Sequence, residues 1–194
     1  IWDKQEKKLF GARDPFGIKP FFYAEQDGVT YFASEKKSIL QATEGSLDQE
    51  SLQQYLSFQY VPDPKSMTAE ILKLAPGHYF TKKLNEEMDI QCYWKPTFRP
   101  MNLTESQAIE EIRNVLTDSV NIHMRSDVPV GSFLSGGIDS SIIVSLAKEV
   151  NPKLKTFSVG FERDGFSEID VAKETAAALD LENISYVISP EEYM

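Results

Sequence analysis

Apolar residues in the first hundred positions form short runs broken by turn residues, and later ones recur as stripes at three- and four-residue spacing. Lys8 to Ala12, Ile18 to Ala24 and Val29 to Ala33 are predicted strands. Arg13-Asp14-Pro15-Phe16-Gly17 separates the first two, with Asp, Pro and Gly at positions i, i+1 and i+3 of a type I turn. Gln26-Asp27-Gly28 turns the second into the third. Ser34 is expected to cap a short helix over Glu35 to Gln41. Leu47 to Tyr60 reads as a helix with Asp48 as N-cap and Leu47 stapled on Leu52. Its aromatic end, Tyr55 and Phe58 to Tyr60, is expected in the core. Pro62 and Pro64 stop it, because proline has no N–H and restricts its predecessor. Ile71 to Leu74, His78 to Lys82 and Met88 to Trp94 are further strands.

Lys95 to Asn102 has two prolines and no periodicity, which places a linker there and divides the chain into 1–100 and 101–194. Thr104 and Gln107 form a T-x-x-Q capping box. Ile109, Ile112, Leu116 and Val120 then mark one inward helical face, which His123 continues. Val130 to Leu134 is a buried strand, followed by a glycine turn and a helix with Ile142, Ile143, Leu146, Ala147 and Val150 as its apolar stripe. Asn151-Pro152 ends that helix, and Leu154 to Phe161 is a second strand. Ser167 to Asp170 caps a helix bearing Ala172, Thr175, Ala176 and Leu179 on one face, and Ile184 to Ile188 is a third strand. The fold class is therefore an incomplete α+β portion with antiparallel sheets, followed by an incomplete α/β doubly wound parallel sheet. Such sheets bind ligands at the carboxyl ends of their strands, where Leu134-Ser135 and Val159-Gly160 fall.

Charge sharpens the picture of the second half. The 194 residues carry a formal net charge of −10, and nearly all of it lies beyond residue 100. That surface argues against a nucleic-acid partner, whose phosphates demand Lys and Arg. Arg125 and Lys148 are the cations nearest the glycine turn in sequence. A single cysteine, Cys92, excludes an internal disulfide, suggests a reducing, cytoplasmic compartment and is expected to be a packed thiol. There is no long apolar run and no signal-peptide pattern, so neither membrane span nor secretion is expected. A chain that opens on Ile1 and closes after SPEEYM is expected to be an internal piece of a longer one.

The chemistry concentrates in VPVGSFLSGGIDSS, Val128 to Ser141. Gly136 and Gly137 remove two side chains where backbone must approach a ligand. Ser135, Ser140 and Ser141 bring hydroxyls to the same turn, and Asp139 brings the one carboxylate. A helix start with free N–H groups after such a turn is an anion site. No GxxxxGK[ST] occurs, so a Walker A loop is excluded. His78 has no second His or Cys at ligand spacing.

Ser135-Gly136-Gly137-Ile138-Asp139-Ser140 resembles the SGGxDS pyrophosphate loop of the N-type ATP pyrophosphatases. The longer RSDVPVGSFLSGGIDSS is similar to the glutamine-hydrolysing asparagine synthetases. FGARDPFGIKPFFY with ASEKKSIL resembles the last third of a class II, N-terminal-nucleophile glutaminase domain. YVPDPKSM, LKLAPGHYF and the following YW are similar to the segment that joins the two in that family. The resemblance implies adenylation of aspartate by ATP, amidation of the adenylate with ammonia from glutamine, and release of AMP and pyrophosphate. It implies ATP contacts from Leu134, Ser135, Gly136, Gly137, Asp139, Ser140, Ser141, Val159 and Gly160, with Asp139 also holding Mg²⁺. Leu134 and Val159 are the positions whose backbones flank adenine and ribose. The glutamine nucleophile and glutamine-binding residues lie upstream in the family, so Arg13 and Asp14 are read as a structural turn and ion pair, and no catalytic residue is assigned. At Ser167-Glu168 the family more often shows an acidic pair. ATP, aspartate and glutamine are the expected small-molecule partners, without nucleic acid or membrane, and a homodimer is compatible with the reading. Two alternatives stay open: a β-lactam-synthetase-like cyclase with a degenerate glutaminase, and a non-enzymatic nucleotide-binding relative.

Overall fold

The computed structural model describes residues 1–162 and 168–193, and the chain divides into two units, Ile1–Arg99 and Pro100–Met194. The first runs β1 (Trp2–Asp3), β2 (Lys8–Ala12), β3 (Phe22–Gln26), β4 (Val29–Ala33), α1 (Lys36–Ile39), α2 (Gln49–Phe58), β5 (Leu72–Lys73), β6 (His78–Lys83) and β7 (Asp89–Cys92). Two antiparallel sheets result, β1-β2-β6-β7 and β4-β3-β5. Tyr23, Leu74 and Phe80 form one buried cluster of this unit, and Ala24, Ile39 and Ile71 another. The β3–β4 hairpin closes through Asp27 (φ 53) and Gly28 (φ 74), both left-handed as a two-residue hairpin turn requires.

Several local expectations shift here for identifiable reasons. The return strand begins at Phe22 instead of Ile18. The Asp14 carboxylate accepts the N–H groups of Phe16, Ile18 and Lys19 at 3.0–3.1 Å, and Pro20 has none, so Ile18 to Pro20 has no donors left for a ladder. Helix α1 is a single turn whose N-cap is Glu35 without a side-chain bond, so Ser34 does not cap it. Asp48 does cap α2, accepting from Glu50 N and Ser51 Oγ at 3.0 Å each. The helix ends at Gln59, in the left-handed conformation. Its aromatic end is not core: Tyr55, Phe58 and Tyr60 are exposed, and Ser51 is its buried residue.

Arg13 ties the first turn to β5. Its guanidinium donates to Lys19 O (3.1 Å), Gly17 O (3.1 Å), Leu74 O (2.7 Å) and Asp63 Oδ2 (3.1 Å). Lys73 reaches the other Asp63 oxygen at 2.6 Å.

The second unit runs α3 (Glu105–His123), β8 (Gly131–Phe133), α4 (Ile138–Val150), β9 (Lys155–Phe161), α5 (Ile169–Ala178), β10 (Glu182–Ile188) and α6 (Pro190–Tyr193). Thr104 and Gln107 form the expected reciprocal capping box at the start of α3. All three strands are parallel in the order β10-β9-β8, with Gly131 and Glu182 both opposite Lys155. Val120, Leu134, Val144, Ala147, Leu154, Ala172 and Ala176 make one core from α3, α4, α5 and the sheet. Helices α4 and α5 bury Val144, Ala147, Ala172 and Ala176 in that one core, so both cover the same face of the sheet, as crossovers of one hand in one direction require. That face carries Thr156, Ser158 and Gly160, all buried. On the other, Gly131, Phe133, Phe157, Val159, Ile184 and Tyr186 line an open groove of about 470 Å³.

The stripes are only partly buried. Of the α3 face Val120 is buried, whereas Ile109 and Ile112 line an open groove of about 550 Å³ with Ile138, Ile142 and Leu146 of α4. In α4 the buried positions are Val144 and Ala147, while Ile142, Ile143 and Val150 are exposed. His123 is exposed, its Nδ1 2.8 Å from Ser119 O, and does not extend a buried face. The cap expected at Ser167 lies outside the described residues. Among those described, no helix is long and apolar enough to cross a membrane.

Candidate functional site

Strand β8 delivers the chain to the glycine loop, and α4 carries it away. Gly136 has φ +84, a conformation that costs a residue with a Cβ about 1–2 kcal/mol. Gly137 is the N-cap of α4, with extended backbone and no side chain to satisfy the helix start. The first intrahelical bond is Ser141 N to Gly137 O at 3.1 Å. The amides of Ile138, Asp139 and Ser140 thus form an uncapped, positive helix end.

The three serine hydroxyls brace the loop. Ser140 Oγ donates to Gly137 O at 3.0 Å, and Ser141 Oγ to the same oxygen at 2.8 Å. With its proton so used, Ser140 Oγ accepts from Ser135 Oγ (3.0 Å) and from Ser135 N (3.3 Å). Ser135 Oγ in turn accepts from Gly137 N at 3.4 Å. The hydroxyls close on the loop's own backbone, which holds its shape and leaves the α4 amides for a ligand. Asp139 is exposed on the first turn of α4, and no described residue bonds or ion-pairs with its carboxylate.

Leu134, Ser135, Ser158, Val159 and Glu168 line a cavity of about 320 Å³ at the carboxyl ends of β8 and β9. Three of the expected nucleotide contacts, Leu134, Ser135 and Val159, are among its lining residues. Gly160 sits on the buried face instead, in ladder register with Val187. Ser158 and Glu168 were not anticipated; polar residues at alternate positions 156 and 158 of an otherwise apolar strand are the signal that marks Ser158. Of the two cations nearest the loop in sequence, one is engaged elsewhere. Lys148 donates its ammonium to Leu179 O at the C-terminal end of α5, a favourable place for a cation, and Arg125 is exposed.

Outside this loop the chemistry is sparse. No described group of three or more His, Cys, Asp or Glu could hold a metal. A cation at Asp139 would therefore take few ligands from the described residues, which suits Mg²⁺, since that ion keeps most of its shell as water and phosphate oxygen. Cys92 is exposed, with Sγ 3.3 Å from Trp94 O, and is not the packed thiol expected. His78 Nδ1 lies 2.8 Å from Pro76 O, a turn contact.

Two family models match the chain. A family model described as glutamine amidotransferase domain matches residues 1–94, and one described as asparagine synthase matches residues 111–194. The whole chain aligns at 58% identity with the glutamine-hydrolysing asparagine synthetase 1 of Bacillus subtilis, over 31% of that protein's length. It aligns at 43% identity with a putative glutamine-hydrolysing asparagine synthetase of Mycobacterium tuberculosis, again over 31% of its length. A putative asparagine synthetase of Methanocaldococcus jannaschii is 37% identical over 84% of this chain and 33% of its own. The chain thus spans about a third of the length of the curated relatives it matches.

Proposed function

Taking as premise that the chain belongs to the glutamine-hydrolysing asparagine synthetase family, we propose that it supplies the ATP-binding half-site of that reaction. Residues 101–194 are the N-terminal part of a doubly wound ATP-pyrophosphatase domain, and residues 1–100 the C-terminal part of an N-terminal-nucleophile glutaminase domain with its connecting segment. The observation that carries this reading is the uncapped start of α4, braced by Ser135, Ser140 and Ser141 at the carboxyl end of a parallel strand. Amides and hydroxyls without a lysine suit a β,γ-pyrophosphate that leaves as a unit.

In the proposed reaction a β-carboxylate oxygen of aspartate attacks the α-phosphorus of ATP, and pyrophosphate departs. Ammonia released from glutamine then attacks the β-aspartyl carbonyl, giving asparagine and AMP. Ser135, Gly136, Gly137, Ser140 and Ser141 hold the departing pyrophosphate. The backbones of Leu134 and Val159 flank adenine and ribose at the strand ends. Asp139 would hold Mg²⁺, which when bound neutralises charge on the phosphates. The glutamine nucleophile belongs to the part of the relatives' length that this chain does not span. Partners are small molecules, with neither nucleic acid nor membrane involved.

Aspartate-dependent exchange of labelled pyrophosphate into ATP by the full-length protein tests the reading. Exchange that requires aspartate is expected; ATP binding without it would favour the nucleotide-binding relative.

A further inference from the structure

Two hydroxyls and one amide occupy the helix-facing side of the parallel sheet, where the alternation of β9 places core residues. Thr156 is 0% exposed and Ser158 4%. Their hydrogen bonds run one way. Asn183 Nδ2 donates to Thr156 Oγ1 at 2.9 Å and to Ser158 Oγ at 3.0 Å. An amide nitrogen cannot accept, so each hydroxyl proton goes elsewhere. Thr156 donates to Glu182 O at 2.9 Å, and Ser158 to Leu134 O at 2.6 Å. Turning the amide over would face its oxygen with two hydroxyls whose protons are already engaged. Asn183 Oδ1 is buried without a partner in the present arrangement. Orphaning a buried acceptor is destabilising, so this amide does not add stability the way an apolar residue of its size would.

One end of this relay reaches the glycine loop. Leu134 immediately precedes Ser135, and its N–H still belongs to the ladder, donating to Phe157 O at 2.8 Å. Its carbonyl leaves the ladder for the Ser158 hydroxyl. The β8–β9 pairing ends at that point, so Ser158 fixes the plane of the Leu134–Ser135 peptide and with it the direction in which the loop departs. Thr156 belongs to the same network and is as deeply buried, yet its proton reaches only Glu182, at the start of β10.

We propose that Ser158, oriented by Asn183, is a positioning residue for the nucleotide loop: through Leu134 O it aims the loop and the first amides of α4 at the phosphates. The inference rests on the nucleotide reading of that loop.

The test compares Ser158→Ala with Thr156→Val in the full-length protein, by aspartate-dependent pyrophosphate exchange and by urea unfolding. Both lose one buried hydroxyl bond, so both should be destabilised. Only Ser158→Ala should raise KM for ATP, by about tenfold, with kcat changed by less than about threefold; Thr156→Val should keep KM within about twofold. Ser158→Cys, near in shape but a weaker donor, should give an intermediate KM, and it replaces Ser158→Ala as the deciding variant if that protein does not fold. An unchanged KM in the deciding Ser158 variant, or an equal rise with Thr156→Val, overturns the positioning role while leaving the nucleotide reading intact. Absence of exchange in the unmodified protein overturns both.

Discussion

Gly136 of the loop and Val171 of α5 approach so closely that a Cβ on Gly136 would lie 3.0 Å from Val171 Cβ and 3.1 Å from Ala172 N. The second of those atoms is backbone and cannot swing aside. The loop therefore leans on the first turn of α5 at the one residue that also needs a left-handed φ. Gly136→Ala meets both penalties, and we expect a loss of about 2 kcal/mol or more in urea unfolding. ATP affinity of the full-length protein should fall with it, because the loop must move to relieve the contact. A variant as stable as the unmodified protein would show that the approach is looser than the geometry indicates.

Asp139 has its carboxylate on the first turn of α4, exposed and without a bonding partner among the described residues. Asp139→Asn should preserve stability and abolish aspartate-dependent exchange, by more than about tenfold, equivalent to about 1.4 kcal/mol of barrier. Glutamine hydrolysis should persist, since the residues for it lie elsewhere. Normal asparagine synthesis by this variant would remove Asp139 from any metal site.

Arg13 has a side chain only 10% exposed and places four N–H donors against Lys19 O, Gly17 O, Leu74 O and Asp63. A lysine ammonium cannot serve that planar set. Arg13→Lys should cost about 2–4 kcal/mol in denaturant unfolding, because it leaves carbonyls without donors and Asp63 with Lys73 as its one remaining cation. A double-mutant cycle with Asp63→Asn should show coupling of about 1 kcal/mol or more. Independent effects would mean that the carbonyl bonds alone hold the turn.

Asp14 has its carboxyl held below the ordinary aspartate pKa, foremost by the N–H of Ile18 and also by those of Lys19, Phe16 and Gly17. A lowered folded-state pKa contributes stability that is complete above the unfolded pKa and is lost as pH falls through the folded value. Unfolding midpoints measured from pH 6 downward should therefore fall in the acid range, and Asp14→Asn should flatten part of that slope while lowering stability at neutral pH. A parallel slope in the variant would assign the acid sensitivity to other carboxylates.

The 194-residue chain by itself should bind Mg·ATP weakly. Its parallel sheet leaves one apolar face open, with Phe133, Val159 and Tyr186 exposed, and Lys148 is engaged at the end of α5. A pocket populated part of the time lowers apparent affinity by that fraction. Calorimetric titration should give Kd on the order of 1 mM or weaker. Micromolar binding would mean that residues 101–194 already form a complete site.

Features fixed within a few residues were legible from the chain alone. The Thr104–Gln107 box, the Asp48 cap, the Asp14–Gly17 turn and the glycine loop before α4 all depend on backbone geometry that neighbouring side chains impose. The three parallel strands followed from apolar runs separated by helical stripes, and the family from the motifs themselves. Tertiary contacts decided the rest. Which residues of α4 are buried depends on where α3 and the sheet meet it, so Val144 is enclosed while Ile142 and Ile143, equally apolar, are not. The start of β3 moved to Phe22 because one carboxylate claimed the preceding amides. The partner of the Leu134 carbonyl lies 24 residues away on another strand. Periodicity reports how a segment is shaped and says nothing of what it meets. Only the packed sheet could bring Ser158 and Asn183 beneath the loop they are proposed to aim.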